Sequence, residues 1–348
     1  MDVDKLREEL KRDEGCVHSV YLDHLNLPTT GIGHLLTEWD EEYCKPVGTK
    51  VSEDRVNELF AKDIQVTIDE CKVLYEDFDE LPEEVKQKNV EIIYTAAILK
   101  RNPLWQFFDL QGNKMYKRAA FLGKICSNKK TFAIAGTHGK TTTAAILTHL
   151  FTTDNRAFTA FVGGIVKEFN SSYISTGIDF YVVEADEYDR SFLQLFPTHA
   201  AITTMDADHL DIYGTANELS RTFDDFVQKV STDKRFIAHG LAVDGYTFGV
   251  ETASHSVRNL LIKGGSYLFD FVTPTVSILN VALPCPGKHN VMNAAAALAL
   301  ALDAGCEPVQ LKEGLATFKG VDRRFSIRLT TPKIVIDDYA HHLSLIHI

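Results

Sequence analysis

Long apolar runs are missing from this chain: no stretch approaches the eighteen or so residues that a membrane span needs. The opening residues, MDVDKLREELKRDEG, carry charges where a secretory leader has its apolar segment, so nothing marks the chain for export. Cysteine is sparse: six residues in 348, at positions 16, 44, 71, 126, 285 and 306, never in a CxxC pair. Such scatter speaks against a disulfide framework and points to reduced structural thiols in a cytoplasmic protein. An excess of basic residues is absent too. Neither half is basic enough to suggest nucleic acid, and no membrane partner is expected. There is no internal repeat and no low-complexity segment.

The charge that is present lies in one place. Residues 1–88 hold 23 acidic and 11 basic side chains, a net of -12, and residues 89–348 hold 25 of each. An acidic interaction tail would do this. So would two pieces of different origin. At 348 residues the length suits two to three domains. Residues 3–12 and 81–87 read as short helices, with a turn-rich hairpin region between them. Ser52 is placed to cap a helix over about 53–73, with Glu53 and Asp54 in its first turn. Its apolar stripe is Val56, Leu59, Phe60, Ile64, Ile68 and Cys71.

From about residue 89 the pattern changes to alternating strands and helices, the mark of a parallel sheet. Strands are predicted at 89–98, 131–135, 180–183 and 200–204, and helices at 141–151, 215–230 and 290–305. Gly305 is placed to end the last of these. Turn-broken strands run from about 236 to 283.

The segment DEGCVHSVYLDHLNLPTTGIGH sets Glu14, Asp23 and Thr29 ahead of a Gly-Ile-Gly-His turn. Glycoside hydrolysis needs one carboxyl group to protonate the leaving oxygen and a second to guide water. Glu-Gly, Tyr-x-Asp and Thr-x-Gly-Ile-Gly-His in this order resemble the phage-type lysozymes over about 1–87. That resemblance implies an inverting muramidase acting on peptidoglycan, with Glu14 as general acid and Asp23 and Thr29 positioning the water. The family's larger second lobe has no counterpart here, so little or no lysis is expected.

GTHGKTTT, residues 136–143, follows a predicted strand and opens a predicted helix. Such a loop aims backbone N–H groups and a helix dipole at phosphate; a lysine adds a point charge and a hydroxyl a place for Mg²⁺. The general GxxxxGK[ST] pattern asks for Gly at 134, where this chain has Ile134, so the loop is a shorter variant. FYVVEADEYD puts Glu184 at the carboxyl end of a buried strand, suited to Mg²⁺. TTMDADHLDIYG brings His209 beside Asp206, Asp208 and Asp211 after another strand, a candidate metal ligand.

With PGKHNVMNAAAA, FKGVDRRF and IDDYAHH, these motifs resemble the Mur ligases over about 89–342. The resemblance implies an α/β fold with a P-loop ATPase domain on a parallel sheet, preceded by a partial α+β lysozyme-like lobe. The implied divisions are 1–88 for the lobe, 89–128 for a remnant of the sugar-nucleotide domain, 129–325 for the ATP-binding domain and 326–348 for the start of a carboxy-terminal domain. The implied reaction joins L-alanine, or a ready-made tripeptide, to UDP-N-acetylmuramate at the expense of ATP, through an acyl phosphate. The implied nucleotide contacts are Gly136, Thr137, His138, Gly139, Lys140, Thr141, Thr142, Asn290, Asn293, Arg324 and Asp338. The implied Mg²⁺ ligands are Thr141, Glu184 and His209; Lys140, Glu184 and His209 serve the chemistry, and Tyr339 and His341 face the amino acid. YTAAI resembles a wall of the sugar-nucleotide site. The tail LSLIHI departs from the family. Helix pattern, charge balance and family resemblance all change near Gln87–Asn89, which is expected to be the seam of a chimera. Of such a polypeptide, nucleotide binding without turnover is the outcome expected.

Overall fold

The computed structural model describes residues 7, 11–12, 15–23, 27–38, 40–74, 90–95, 98–102, 105, 108–109, 112–206, 213–329, 333 and 335–339. The chain divides into two compact units, Met1–Val90 and Glu91–Ile348. Among the described residues, no helix is long and apolar enough to cross a membrane.

The first unit holds β1 (Val17–Leu22), β2 (Pro28–Gly31), β3 (His34–Leu35) and α1 (Glu53–Leu74). The strands form an antiparallel sheet in that order. Ser52 caps α1: its Oγ accepts the Arg55 N–H at 3.2 Å. The predicted stripe turns inward at Val56, Leu59 and Phe60, all buried, and Val56 packs with Val20, Leu36 and Val51. The predicted helix over 81–87 lies outside the described residues, as does most of that over 3–12.

The second unit begins with β4 (Glu91–Tyr94) and β5 (Lys114–Lys117), a parallel pair, followed by α2 (Arg118–Cys126). Then come β6 (Lys130–Ala135), α3 (Lys140–Thr153), β7 (Phe158–Val166), β8 (Ser171–Ser175), β9 (Phe180–Glu184), β10 (His199–Ile202) and α4 (Ala216–Val227). The remainder is β11 (Arg235–Ala238), β12 (Tyr246–Val250), β13 (His255–Lys263), β14 (Ser266–Val272), β15 (Ser277–Leu283), α5 (Lys288–Asp303), α6 (Pro308–Thr317), β16 (Ser326–Leu329) and β17 (Val335–Asp337). Ten strands form one sheet in the order β15-β14-β13-β12-β11-β10-β6-β9-β7-β8.

This sheet is mixed, which corrects the expectation of a purely parallel one. The run from β13 to β7 is parallel, but β8, β14 and β15 pair antiparallel at the margins. The cause is local: a two-residue connection joins β13 to β14, and four-residue connections join β14 to β15 and β7 to β8, too short for the crossover that a parallel return requires. β7, β8 and α6 are elements that periodicity did not reveal.

β6 shows how the core is divided. Alternate side chains leave opposite faces of a strand. Phe132 and Ile134 join the core beneath α3, α5 and α6, while Ala133 and Ala135 join the opposite core beneath α4. The alanine run of α5 is wholly buried, and small side chains there let α5 lie close against α3. Two Schellman bonds end α5, from Gly305 N to Leu302 O at 2.9 Å and from Cys306 N to Ala301 O at 3.0 Å, as the position of Gly305 suggests. On α4 the Thr215 hydroxyl accepts the Glu218 N–H at 3.2 Å, a Thr-x-x-Glu start.

One charge cluster in the first unit has a pH consequence. The His34 Nδ1 lies 2.7 Å from Asp63 Oδ2, and its Nε2 lies 3.3 Å from the buried Asp40 carboxylate. The bond to Asp63 raises the His34 pKa against the lowering effect of burial. For Asp40, burial opposes ionisation, but the Thr37 N–H and hydroxyl, Lys62 and His34 outweigh it and hold the carboxyl well below its usual range. His34 therefore contributes stability that is complete below its ordinary 6.5 and is lost as pH rises through its higher folded value. Asp40 contributes stability above the ordinary carboxylate range, lost as pH falls towards its folded value. An NMR titration should place the His34 midpoint above 6.5, and Asp63→Asn should bring it down; a midpoint at or below 6.5 contradicts the assignment.

Candidate active site

β6 ends at Ala135 and α3 begins at Lys140, so Gly136-Thr137-His138-Gly139 makes the turn. β9 flanks β6 on one side and β10 on the other. The loop therefore opens where the strand order diverges, the position at which open α/β sheets take ligands. Two close approaches require glycine. Gly136 has φ +133°, and a Cβ there would come within 2.3 Å of Thr203 Oγ1. Gly139 has φ +86°, and a Cβ there would come within 2.4 Å of Asn293 Oδ1. With no side chain at either position, the backbone N–H groups that open α3 lie bare at the helix end that favours anions.

The end of β10 pins the loop. The His138 N–H donates to Thr204 Oγ1 at 2.8 Å, and the Thr137 and Thr204 hydroxyls meet at 2.9 Å. The Thr203 hydroxyl donates to the His138 carbonyl, and the Asp206 N–H donates to Thr137 Oγ1 at 2.9 Å.

Lys140 turns back over its own loop. Its ammonium donates to the Gly136 carbonyl at 2.8 Å and to the two Glu187 carboxylate oxygens at 2.9 and 2.8 Å. The Glu187 side chain is 0% exposed. Burial raises its pKa, opposed chiefly by the charge of Lys140 and by their hydrogen bond. On the neighbouring strand, Glu184 accepts the Thr141 hydroxyl at 2.9 Å and the Gly163 N–H at 2.7 Å. Burial pushes this carboxyl up as well, against the pull of Lys140, Gly163 and Thr141. Thr141 and Glu184 thus offer two oxygen donors side by side. That is a chemical fit for Mg²⁺, which takes one or two protein oxygens and completes its shell with phosphate and water.

These residues line a cleft of about 410 Å³. Its wall includes Thr137, His138, Gly139, Lys140, Thr141, Thr142 and Glu184 from the loop region, Asn290 and Asn293 from the start of α5, and Arg324, Asp338 and Tyr339 from the β16–β17 hairpin. Gly136, the first residue of the loop, is not on that wall. The Asn293 amide donates to Asn290 Oδ1 at 3.2 Å, and Asn290 Nδ2 donates to the Pro286 carbonyl at 2.5 Å. Arg324 Nη1 reaches the Tyr339 carbonyl at 3.2 Å, and Asp338 accepts the Phe325 N–H at 3.1 Å. A second hollow of about 410 Å³, walled by Arg118, Phe161 and Tyr173, shares Gly163, Glu184 and Asp186 with the first. A third, of about 440 Å³, adjoins through His138, Gly139 and Asn293 and contains Phe248 and Met292.

His209 and His341, like Asp208 and Asp211, lie outside the described residues. Asp206 lies 3.8 Å from His138 Nε2. Glu14 also lies outside the described residues. Asp23 accepts the Leu27 N–H at 2.9 Å, and the buried Thr29 hydroxyl donates to the Leu27 carbonyl at 3.1 Å, so both are engaged in the β1–β2 turn.

Sequence reasoning missed Glu187, Thr203 and Thr204. Glu187 stands among four acids in EADEYD, and nothing in spacing separates the one bonded to Lys140 from the others. The threonine pair reads as the end of a β-branched strand. The turn after Glu187 offers no glycine, yet Asp189 and Arg190 both take left-handed backbone conformations with φ 53°. That costs of the order of 1–3 kcal/mol per residue. Lys117 bonded to Asp189 at 2.7 Å and the buried Tyr213 hydroxyl bonded to the Glu187 carbonyl hold the turn in place.

Residues 134–301 match the Mur ligase middle domain. The chain is 45% identical over 285 residues to the UDP-N-acetylmuramate–L-alanine ligase of Christiangramia forsetii, covering 79% of this chain and 63% of that protein. It is 40% identical over 331 residues to the enzyme of the same name from Flavobacterium psychrophilum, covering 94% of this chain and 72% of that one. Its fold is similar to the crystal structure of UDP-N-acetylmuramate-alanine ligase from Thermotoga maritima, with a TM-score of 0.65 and 28% identity over 74% of this chain and 61% of that one. The chain thus spans roughly two thirds of the length of these relatives. The matched segment begins inside β6 and ends inside α5, so it contains the loop, Lys140, Glu184 and both asparagines. On this shared sequence and fold, the chain belongs to the Mur ligase family.

Proposed function

We propose that the second unit is the catalytic core of an ATP-dependent ligase that joins L-alanine to UDP-N-acetylmuramate. The observation that carries this reading is the single cleft in which Lys140, Thr141, Glu184, Asn290, Asn293, Arg324 and Asp338 meet. The amides opening α3 and the Lys140 ammonium grip the terminal phosphates of ATP. Asn290 and Asn293 serve the adenine side, which the apolar Phe248 and Met292 of the adjoining hollow suit. Arg324 and Asp338 close on the nucleotide from the hairpin. Thr141 and Glu184 would hold Mg²⁺, which when bound neutralises charge on the phosphates. The hollow that shares Glu184 receives the muramate carboxylate, and Arg118 there supplies a cation for it.

The γ-phosphoryl group passes to that carboxylate and ADP leaves. The L-alanine amine then bonds to the acyl carbon, and phosphate departs. His209, Tyr339 and His341 are assigned to the second metal and the amino acid by the family resemblance alone. The names of the two relatives, each a ligase for L-alanine rather than for a tripeptide, favour L-alanine.

For the first unit we infer a partial lysozyme-like lobe from its antiparallel hairpin sheet followed by a long helix; against this stands the match to the Flavobacterium psychrophilum ligase, which covers 94% of this chain and so extends into that unit. None of the relatives or structures named above is a lysozyme. The seam near Gln87–Asn89 is tested by amplification across it from source DNA: two separate loci support a chimera, and one continuous product refutes it.

Phosphate release should require both UDP-N-acetylmuramate and L-alanine if the core turns over. Calorimetry with magnesium and a non-hydrolysable ATP analogue separates that from binding alone. Lys140→Met should weaken this binding by at least about 100-fold, and heat of binding unchanged by it would overturn the reading. Gly139→Ala should reduce the same binding by roughly tenfold or more while the melting temperature moves only a few degrees, because the new Cβ meets Asn293 rather than the core. In a turbidity assay on purified peptidoglycan the chain should produce no lysis above buffer; clearing that Glu14→Gln abolishes would establish the muramidase instead.

A further inference from the structure

Glu187 has no role in the reading above, yet its charged side chain is wholly buried at the site. Both its carboxylate oxygens lie on the Lys140 Nζ, at 2.9 and 2.8 Å, and share one N–H, while the Gly136 carbonyl takes another at 2.8 Å. One N–H of the ammonium is left for a phosphate oxygen, which would share the cation with the Glu187 carboxylate. The Gly136 carbonyl belongs to the loop that cradles the phosphate, so the carboxylate is the acceptor that competes with the nucleotide.

The carboxylate itself does not move away. It is wholly buried, and its backbone is held at both ends of the turn. The Glu187 carbonyl accepts the Tyr213 hydroxyl and the Arg190 N–H, and Asp189 is tied to Lys117. Two consecutive left-handed residues persist there because these bonds over-determine the backbone. A fixed, buried anion bonded to the phosphate-binding lysine has two opposite effects. It keeps the ammonium at the loop before nucleotide arrives. It also competes with the incoming phosphate for that ammonium, a pull that is strong where water is excluded.

We propose that Glu187 is the positioning residue of Lys140, holding the ammonium over the loop and sharing it with the incoming nucleotide phosphate. This rests on the nucleotide reading of the cleft. Its signature is a substitution that acts only through the lysine. With one acceptor kept but the charge removed, Glu187→Gln should bind the magnesium complex of a non-hydrolysable ATP analogue roughly tenfold more tightly. Glu187→Asp keeps the charge and should return the affinity towards that of the unsubstituted chain. In a Lys140→Met background, Glu187→Gln should change the residual affinity less than about twofold.

Calorimetry on the full chain with these single and double substitutions reads all three, with thermal melts to confirm folding. The Glu187→Gln single variant keeps Lys140 as the cation beside Glu184, so it guards against loss of fold. Glu187→Gln that is silent, that weakens binding, or that acts equally with and without Lys140 overturns the positioning role. An unsubstituted chain that binds no analogue overturns the nucleotide reading itself, a different result from a binding chain indifferent to Glu187.

Discussion

The arrangement around β6 is the constraint on which the rest of the second unit depends. Because β9 pairs on one side of β6 and β10 on the other, the chain leaves the sheet in divergent directions at one end. The turn after Ala135 falls in that opening. Glu184 arrives there from β9, and Thr203 and Thr204 arrive from β10. Two glycines then let the loop lie against Thr203 and against Asn293 of α5, closer than any side chain permits. Core and site are in this sense one construction. The apolar faces of β6 anchor it on both sides, and its carboxyl end delivers the loop.

Charge is the second theme. Glu184 and Glu187 both lie in low-dielectric surroundings that push their carboxyl groups up, and Lys140 is the cation that chiefly opposes this for each. One lysine thus serves two buried acids. A polyphosphate entering such a place meets negative charge already present, so it needs a further cation, and the Thr141–Glu184 pair is where the structure offers oxygen ligands for one. The strained turn at Asp189 and Arg190 belongs to the same account. Backbone strain next to a buried, bonded acid marks a place where position was favoured over stability.

The first unit stands apart in composition and in architecture. It carries the whole net charge of the chain. Among the described residues its core gathers around Val20, Leu36, Val51 and Val56, accompanied by a polar cluster in which His34 joins Asp40 and Asp63.

Local pattern determined much of this protein without help. The GTHGKTTT turn, the strand before it and the helix after it were legible because glycine, β-branched and alanine-rich segments each have a backbone preference of their own. The same holds for the Ser52 cap, the alanine helix from 288 to 303 and Glu184 at a strand end. Three-dimensional structure alone decided the rest. The sheet is mixed because three short connections reverse the chain, and connection length limits topology in a way that strand composition does not report. Glu187 is distinguished from Asp186 and Asp189 only by burial against Lys140, and burial is a property of neighbours distant in sequence. Thr203 and Thr204 became loop anchors for the same reason: their hydroxyls find partners some 65 residues earlier in the chain, contacts that exist only once β10 has paired with β6.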